Sequence, residues 1–423
     1  MKQKHHRMLC AFCALVILVS TVFPTAAFAE QPVDAAAAEQ TLTRADAAEM
    51  QQADAAVTAL TESEQYQEMD TDARKDAALA QLDTLAAKGF VEKDSIYTDE
   101  ENGMVSFRYP CGVLGGILLT EPEDETLDEE NAETETASNA LPLRLPPDLG
   151  AEMQKSRAAL LRRTENQAVE KFGTAVIYYA FDNTINSSRF PYYAYMQGFW
   201  SALGLETKIN IHVTVADLKK MGNYNVSVLS AHGSYYTYSY GKFLKRTRTE
   251  PIMLLTEEST FGKDLRYGFD LLAHRVIKVN GMYCVTSDFF RNAYKGGKLS
   301  NTIVYSETCE FLGVDGSEDN AMADALLSGG AQAVIGYVNN VYTVYSRSML
   351  WDTINHLIMG QNVGQALEHA KATYGEDDLI WYHAQGGRRP HAAASYAVLY
   401  GNSQAALHVP ESNRSMFSAD LAA

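Results

Sequence analysis

The amino-acid sequence predicts an α/β fold with a mostly parallel sheet between layers of helices, preceded by a small α+β N-terminal module. From about residue 172, short apolar segments alternate with helical patterns, as parallel strands and their crossovers do. Two of these segments, 225–229 and 302–305, are bounded by turn residues, which is typical of buried strands. Asn102-Gly103 is a hairpin signal, and alternating apolar residues over 105–109 follow it. That hairpin predicts the smaller module.

Residues 1–29 are predicted to be a cleavable signal peptide. The segment has a basic start, an apolar core over 8–19 that is too short for a comfortable membrane span, and the small-x-small sequence Ala27-Phe28-Ala29. We therefore expect a secreted or extracytoplasmic protein, with no membrane span once the signal is removed.

Composition shifts divide the remaining chain. Helical leucine spacing over 72–88 and the hairpin indicate the N-terminal module, and carboxylates crowd 121–135 before Pro146-Pro147. The predicted units are a module over 30–120, which we hypothesise to be a pro-region, an acidic linker over 121–150, a connecting helix over 151–171, the main domain over 172–410 and a tail over 411–423.

Within the main domain, the pattern predicts strands and helices in alternation. Strands are expected at 175–180, 208–213, 225–229, 302–305, 333–337, 396–400 and 405–409. Helices are expected at 190–203, 215–221, 321–327, 343–359 and 363–374. A second hairpin is expected around Asn280-Gly281.

Charge and cysteine content exclude some classes of protein. The net charge of −18 argues against a nucleic-acid partner, because phosphates require a basic surface. Cys111, Cys284 and Cys309 follow the signal peptide, too few for a disulfide scaffold. Buried, inert thiols are the favoured reading of Cys111 and Cys284, and a bridge between them stays open.

His232 and Cys309 follow the two buried segments directly. In open α/β sheets, functional residues lie just beyond the carboxyl ends of the strands. A cysteine acts as a nucleophile through its thiolate, which a neighbouring base generates. The two residues are therefore the candidate base and nucleophile.

Four blocks of sequence in a fixed order resemble the clan CD cysteine peptidases, which include caspases, legumain, clostripain and gingipains, and the related CHAT domains. These blocks are the strand ending in His232-Gly233, the strand ending in Cys309 with ADALLSGGAQAVIG over 323–336, NVGQALEHAKA over 362–372, and Leu399-Tyr400-Gly401-Asn402. The resemblance covers about 172–410. It departs from caspases in one spacing, because His232 and Cys309 are 77 residues apart rather than about 50.

The resemblance implies a caspase/haemoglobinase-like three-layer sandwich and a cysteine endopeptidase that acts on protein or peptide substrates. Cys309 would be the nucleophile and His232 the acid and base, while the amides of Gly233 and Cys309 would form the oxyanion hole. No cofactor is required, although relatives suggest structural calcium. The alternative is an inactive domain of the same fold that serves as a secreted or envelope-associated binding module.

Three carboxylates are candidates for the substrate pocket. Asp182 follows the first strand of the main domain, and Glu310 and Asp315 follow the nucleophile. A carboxylate in a pocket selects Arg or Lys by charge, and an ordinary turn residue is the alternative reading of Asp182. We expect no metal site, because no two histidines have the i, i+4 spacing of a helical site, and His274, His356, His369 and His383 are interpreted as structural.

Overall fold

The computed structural model describes residues 41–119, 169–181, 192–241, 245–379 and 394–417, which form a mixed α/β fold with two large sheets. The predicted signal peptide, the acidic linker, residues 151–168 of the connecting helix, Asp182 and His383 lie outside these described residues. No helix in the described ranges is both long and apolar enough to cross a bilayer.

A six-stranded sheet contains the two segments that lead to His232 and Cys309. From one edge to the other its strands are β15 (Tyr396–Gly401), β14 (Ala333–Val338), β11 (Ile303–Ser306), β6 (Val226–Ser230), β4 (Gly173–Tyr179) and β5 (Leu205–Asn210). All neighbouring pairs are parallel except β14 with β15. The expected parallel sheet is thus confirmed, with an antiparallel strand at one edge.

Helices cover both faces of this sheet. Successive residues of its strands point to opposite sides and therefore pack against different helices. Val228 and Ile335 pack with α4 (Tyr192–Ala202), α9 (Thr343–Ile358) and α10 (Val363–Tyr374). Leu229 and Val334 lie in the core on the other face, with α5 (Val215–Leu218), α7 (Ser287–Ala293) and α8 (Ala321–Ser328). The central strands are therefore buried on both sides.

A second, seven-stranded sheet joins residues that are far apart in sequence. Its order is β1 (Tyr97–Asp99), β2 (Met104–Arg108), β3 (Leu114–Leu118), β9 (Val276–Val279), β10 (Met282–Thr286), β8 (Arg246–Glu258) and β7 (Gly233–Tyr240). Both expected hairpins are present, since β1 pairs with β2 and β9 with β10. The parallel pairing of β3 with β9 makes the N-terminal strands continuous with the strands between His232 and Cys309.

A buried ion network joins the first helix to this sheet. The Lys278 ammonium contacts Asp54 on α1 (Arg44–Thr61) and lies 2.9 Å from Asp264 on α6 (Phe261–Leu272). Tyr283 donates a hydrogen bond to Asp264 at 2.8 Å. The Lys278 side chain is only 1% exposed, so water cannot solvate its ammonium group. The two carboxylates compensate the positive charge instead.

The remaining described helices and strands are short or peripheral: α2 (Glu64–Gln67), α3 (Thr71–Ala87), α11 (Glu411–Phe417) and the two-stranded pair of β12 (Gly313–Val314) with β13 (Ser317–Glu318).

The prediction of a strand at 405–409 is wrong. The Ser403 and Ala405 carbonyls instead accept hydrogen bonds from the Gly364 and Val363 amides in the first turn of α10. These bonds provide acceptors for the amides at the start of the helix, which have none within it, and they do not extend the sheet.

Candidate functional site

Two adjacent parallel strands bring the expected nucleophile and base to the carboxyl ends of the strands in the six-stranded sheet. β6 and β11 pair in a register that sets Leu229 beside Ser306. The Glu307 amide then donates to the Leu229 carbonyl at 2.8 Å, which extends the pairing by one residue. His232 and Cys309 leave the sheet just after these positions.

Gly233 lies directly against the backbone of Cys309. A Cβ atom on Gly233 would be 2.1 Å from the Cys309 carbonyl oxygen and 2.4 Å from Cγ2 of Thr308. Backbone atoms cannot move aside as a flexible side chain can, so only glycine allows this approach. The His-Gly pair and the candidate nucleophile are therefore neighbours in the structure.

The Cys309 thiol is half-buried and lies beside the backbone of Val341. The Val341 amide donates to Sγ at 3.4 Å, and the carbonyl of the same residue is 3.9 Å from the sulfur. The amide would stabilise a thiolate, which is the reactive form, and the carbonyl would accept a hydrogen bond from the protonated thiol. Val341 lies two residues before α9, so the start of this helix helps to define the sulfur's surroundings.

His232 is held by its backbone and by an aromatic neighbour. Its carbonyl accepts a hydrogen bond from the Leu254 amide at 2.9 Å, which fixes the start of β7. The ring of Phe181, just after β4, meets the imidazole edge to face at a centroid distance of 4.5 Å. Burial lowers the pKa of His232 to about 4, so the imidazole is uncharged at neutral pH.

A buried hydrogen-bond network connects the two strand ends beneath the site. The Tyr193 hydroxyl on α4 donates to Glu307 Oε2 at 2.8 Å and lies 2.7 Å from the Ser230 hydroxyl. Ser346 on α9 donates to the other Glu307 oxygen at 3.3 Å. Burial raises the pKa of Glu307, whereas the charge of Arg347 and these hydroxyl groups act in the opposite direction.

Sequence reasoning missed this network, although one signal was available. Glu307 directly continues a buried apolar strand, where an unpaired carboxylate would be costly. Such a position implies hydrogen-bond partners from other elements. Which elements provide them depends on tertiary packing.

Carboxylates gather on one side of Cys309. Burial, followed by the charge of Asp315, raises the pKa of Glu310 to about 7, while a hydrogen bond from the Tyr235 backbone acts against this. Glu101, in the turn between β1 and β2, has a raised pKa because its carboxyl group hydrogen-bonds to Asp315. The structure therefore brings Glu310, Asp315 and Glu101 close together.

Cys111 and Cys284 are free thiols in the structure. Cys284 is fully buried, and Cys111 is partly buried. Burial raises the pKa of both thiols, that of Cys111 to about 11. Neither residue therefore has the environment of a reactive cysteine.

Sequence reasoning also missed a cluster of possible metal ligands. Asp352, His356 and His369 place one donor atom each within 4.8 Å of one another. Two histidines spaced i, i+4 on one helix are the usual sequence sign of such a site, whereas these ligands come from α9 and α10. Their proximity depends on the packing of the two helices.

The chain matches no protein-family model and none of the curated proteins with which it was compared.

Proposed function

We propose that the chain is a secreted cysteine endopeptidase with Cys309 as nucleophile and His232 as acid and base. The contact of Gly233 with the Cys309 carbonyl supports this function best. This contact joins two strand-end motifs that are far apart in sequence, as a shared action on one substrate carbonyl would require. The Val341 amide directed at the Cys309 sulfur is further support.

The proposed reaction has two halves. His232 takes the proton from Cys309, and the sulfur attacks the carbonyl carbon of the scissile peptide bond. The resulting oxyanion is stabilised by the amides of Gly233 and Cys309, and His232 passes its proton to the departing amine. Water, deprotonated by His232, then hydrolyses the thioester and releases the acid product and the free thiol.

We propose cleavage after Arg or Lys. Glu310 and Asp315 follow the nucleophile, and a cationic side chain between them would relieve their mutual repulsion. Asp182 remains a predicted third pocket residue. It comes directly after Phe181, whose ring contacts His232.

The proposed fold class is that of the clan CD peptidases. The alternation of parallel strands with helices on both faces supports it. In this proposal, residues 30–120 are an N-terminal module added to the peptidase domain, and β7–β10 are an insertion between the base and the nucleophile.

A peptide electrophile with arginine at its reactive end tests the proposal. Such a reagent forms a covalent bond to a cysteine only when the base and the pocket align it. We expect one equivalent of label on Cys309, identified by peptide mass spectrometry. Cys309→Ala and His232→Ala should each abolish labelling and peptide cleavage while the circular dichroism spectrum stays unchanged.

Cys111→Ala is the matched control, because Cys111 is also a partly buried free thiol. This variant should be labelled and should turn over substrate like the wild type. Equal labelling of Cys309 in the His232→Ala variant would overturn the dyad. A wild-type chain that neither takes the label nor cleaves a substrate library would leave the binding module as the better reading.

A further inference from the structure

We propose that Asp352, His356 and His369 bind a divalent transition-metal ion, with Zn²⁺ the best fit, between α9 and α10. This site is independent of the proposed peptidase chemistry. One donor atom from each residue lies within 4.8 Å of the other two. The ligand set is two imidazoles and one carboxylate.

The two helices position these ligands from opposite sides. Asp352 and His356 are four residues apart on α9 and therefore lie on the same face of the helix. His369 is on α10, which begins after the Asn362 capping box and packs against α9. The cluster is thus built on two regular elements rather than on a loop.

The ligand atoms are close enough to share one ion. His369 Nδ1 lies 2.7 Å from Asp352 Oδ2, and His356 Nε2 lies 3.7 Å from Asp352 Oδ1. Bonds of about 2.0–2.1 Å in tetrahedral geometry place neighbouring ligand atoms about 3.3 Å apart. To reach this geometry, the exposed His369 side chain would rotate out of its contact with the His356 ring.

His356 provides the strongest reason to expect a ligand. The residue is 6% exposed, and no described residue hydrogen-bonds to its buried Nδ1. Its Nε2 comes no closer than 3.7 Å to the Asp352 carboxylate, beyond hydrogen-bond distance. A buried polar group without a hydrogen bond is costly, so this ring lacks a partner that its surroundings would be expected to supply.

The contact between the two rings favours uncharged imidazoles. The rings of His356 and His369 stack with centroids 3.7 Å apart, and two protonated imidazoles at this distance would repel each other. Neutral imidazole is the form that binds a metal ion.

The donor types select the metal. Ca²⁺ takes six to eight oxygen ligands, so the calcium implied by the family resemblance does not fit two imidazoles. Zn²⁺ binds nitrogen and carboxylate oxygen and accepts three protein ligands with water as the fourth. The His369 side chain is 47% exposed, which gives an ion and its water access from solvent.

Metal binding can be measured on the purified full chain. Cys309→Ala is included as the background, because a free thiol would itself bind zinc. After removal of metals by a chelator, the protein is titrated with Zn²⁺ and with Co²⁺. We expect one ion per chain, the visible absorption of four-coordinate Co²⁺ and a rise in Tm with Zn²⁺ concentration.

The His369→Ala variant removes the exposed ligand and should keep the fold. It should bind both ions at least about tenfold more weakly and lose the Tm rise. Asp352→Asn is a second test, and His212→Ala, at an exposed histidine outside the cluster, is the control that should bind like the background. Absence of stoichiometric uptake by the background, or equal affinity in His369→Ala, would overturn the site.

Discussion

Ser230 and Glu307 are bridged by a single phenol, that of Tyr193, which lies 2.7 Å from the serine hydroxyl and 2.8 Å from the carboxylate. Each bridged residue is two positions before a proposed catalytic residue, His232 or Cys309. The bridge therefore fixes the relative position of two strand ends at the place where their spacing matters most. Small errors of position between reacting groups are costly in catalysis.

Tyr193→Phe should weaken both stability and catalysis. Loss of the hydroxyl removes a donor to a buried carboxylate, so we expect the free energy of unfolding to fall by about 1–3 kcal/mol. If Tyr193 is a positioning residue, kcat should fall about tenfold with little change in KM. Tyr195→Phe, on the same helix at an exposed site, is the control for both measurements. A kcat equal to that of the wild type would restrict Tyr193 to a structural role.

Gly233→Ala should abolish peptide cleavage. The added methyl group would overlap the Cys309 carbonyl oxygen, so the strand ends must separate, at a cost of about 1–3 kcal/mol in stability. Chemical denaturation and a peptide-cleavage assay measure the two effects. Gly198→Ala is the matched control, because nothing lies within 4 Å of its added Cβ and the helical position favours alanine by about 0.5–1 kcal/mol. Normal turnover by Gly233→Ala would contradict the close contact.

Glu310 should make substrate preference depend on pH. Its pKa is raised to about 7, so the carboxyl group is neutral below this pH and charged above it. The ratio of kcat/KM for an arginine substrate to that for the matched glutamine substrate should therefore rise between about pH 6 and pH 8. Both substrates use the same dyad, so its titration cancels in the ratio.

In Glu310→Gln this ratio should become independent of pH and about tenfold lower at pH 8. Glu368→Gln, at an exposed helical position, should retain the wild-type profile. A pH-dependent ratio that survives in Glu310→Gln would assign the selectivity to another carboxylate, with Asp182 the next to test.

Lys278→Met should be among the most destabilising single substitutions in the protein. It leaves the buried carboxylates of Asp54 and Asp264 without their shared cation, at a cost of about 3–5 kcal/mol. Urea denaturation measures the effect, and Asp54→Asn, which removes one partner only, should be milder. The surface pair Lys93–Asp83 provides the control, because Lys93→Met should change stability by less than about 0.5 kcal/mol. Similar losses in the two lysine variants would show that the buried network does not stabilise the fold.

Local sequence patterns predicted most of the six-stranded sheet. Runs such as 225–229 and 302–305 are mainly apolar because the strands are buried on both faces, and this burial is visible in sequence. The second sheet was not predicted as one unit. Its hairpins are local, but the pairing of Gly115 with Lys278 joins distant residues, which periodicity does not report.

The same distinction separates the expected parts of the candidate site from the missed ones. His232 and Cys309 directly follow two strands that are parallel neighbours, so both residues lie at the carboxyl ends of the strands. The contacts made by Tyr193 and the convergence of Asp352 with His369 depend on how helices are rotated and seated. Short-range patterns do not determine such rotations.

The pairing of β3 with β9 also has a consequence for the order in which the chain folds. Residues 41–119 are synthesised before β9, yet apolar side chains such as Phe107 and Ile117 join a core completed by residues beyond 250. Until β9 has been synthesised, one side of β3 has no partner strand, and strands from other chains could pair with it. Folding of the second sheet is therefore expected to be slow and to require protection of β3 until β9 is available, because contacts between distant residues form late.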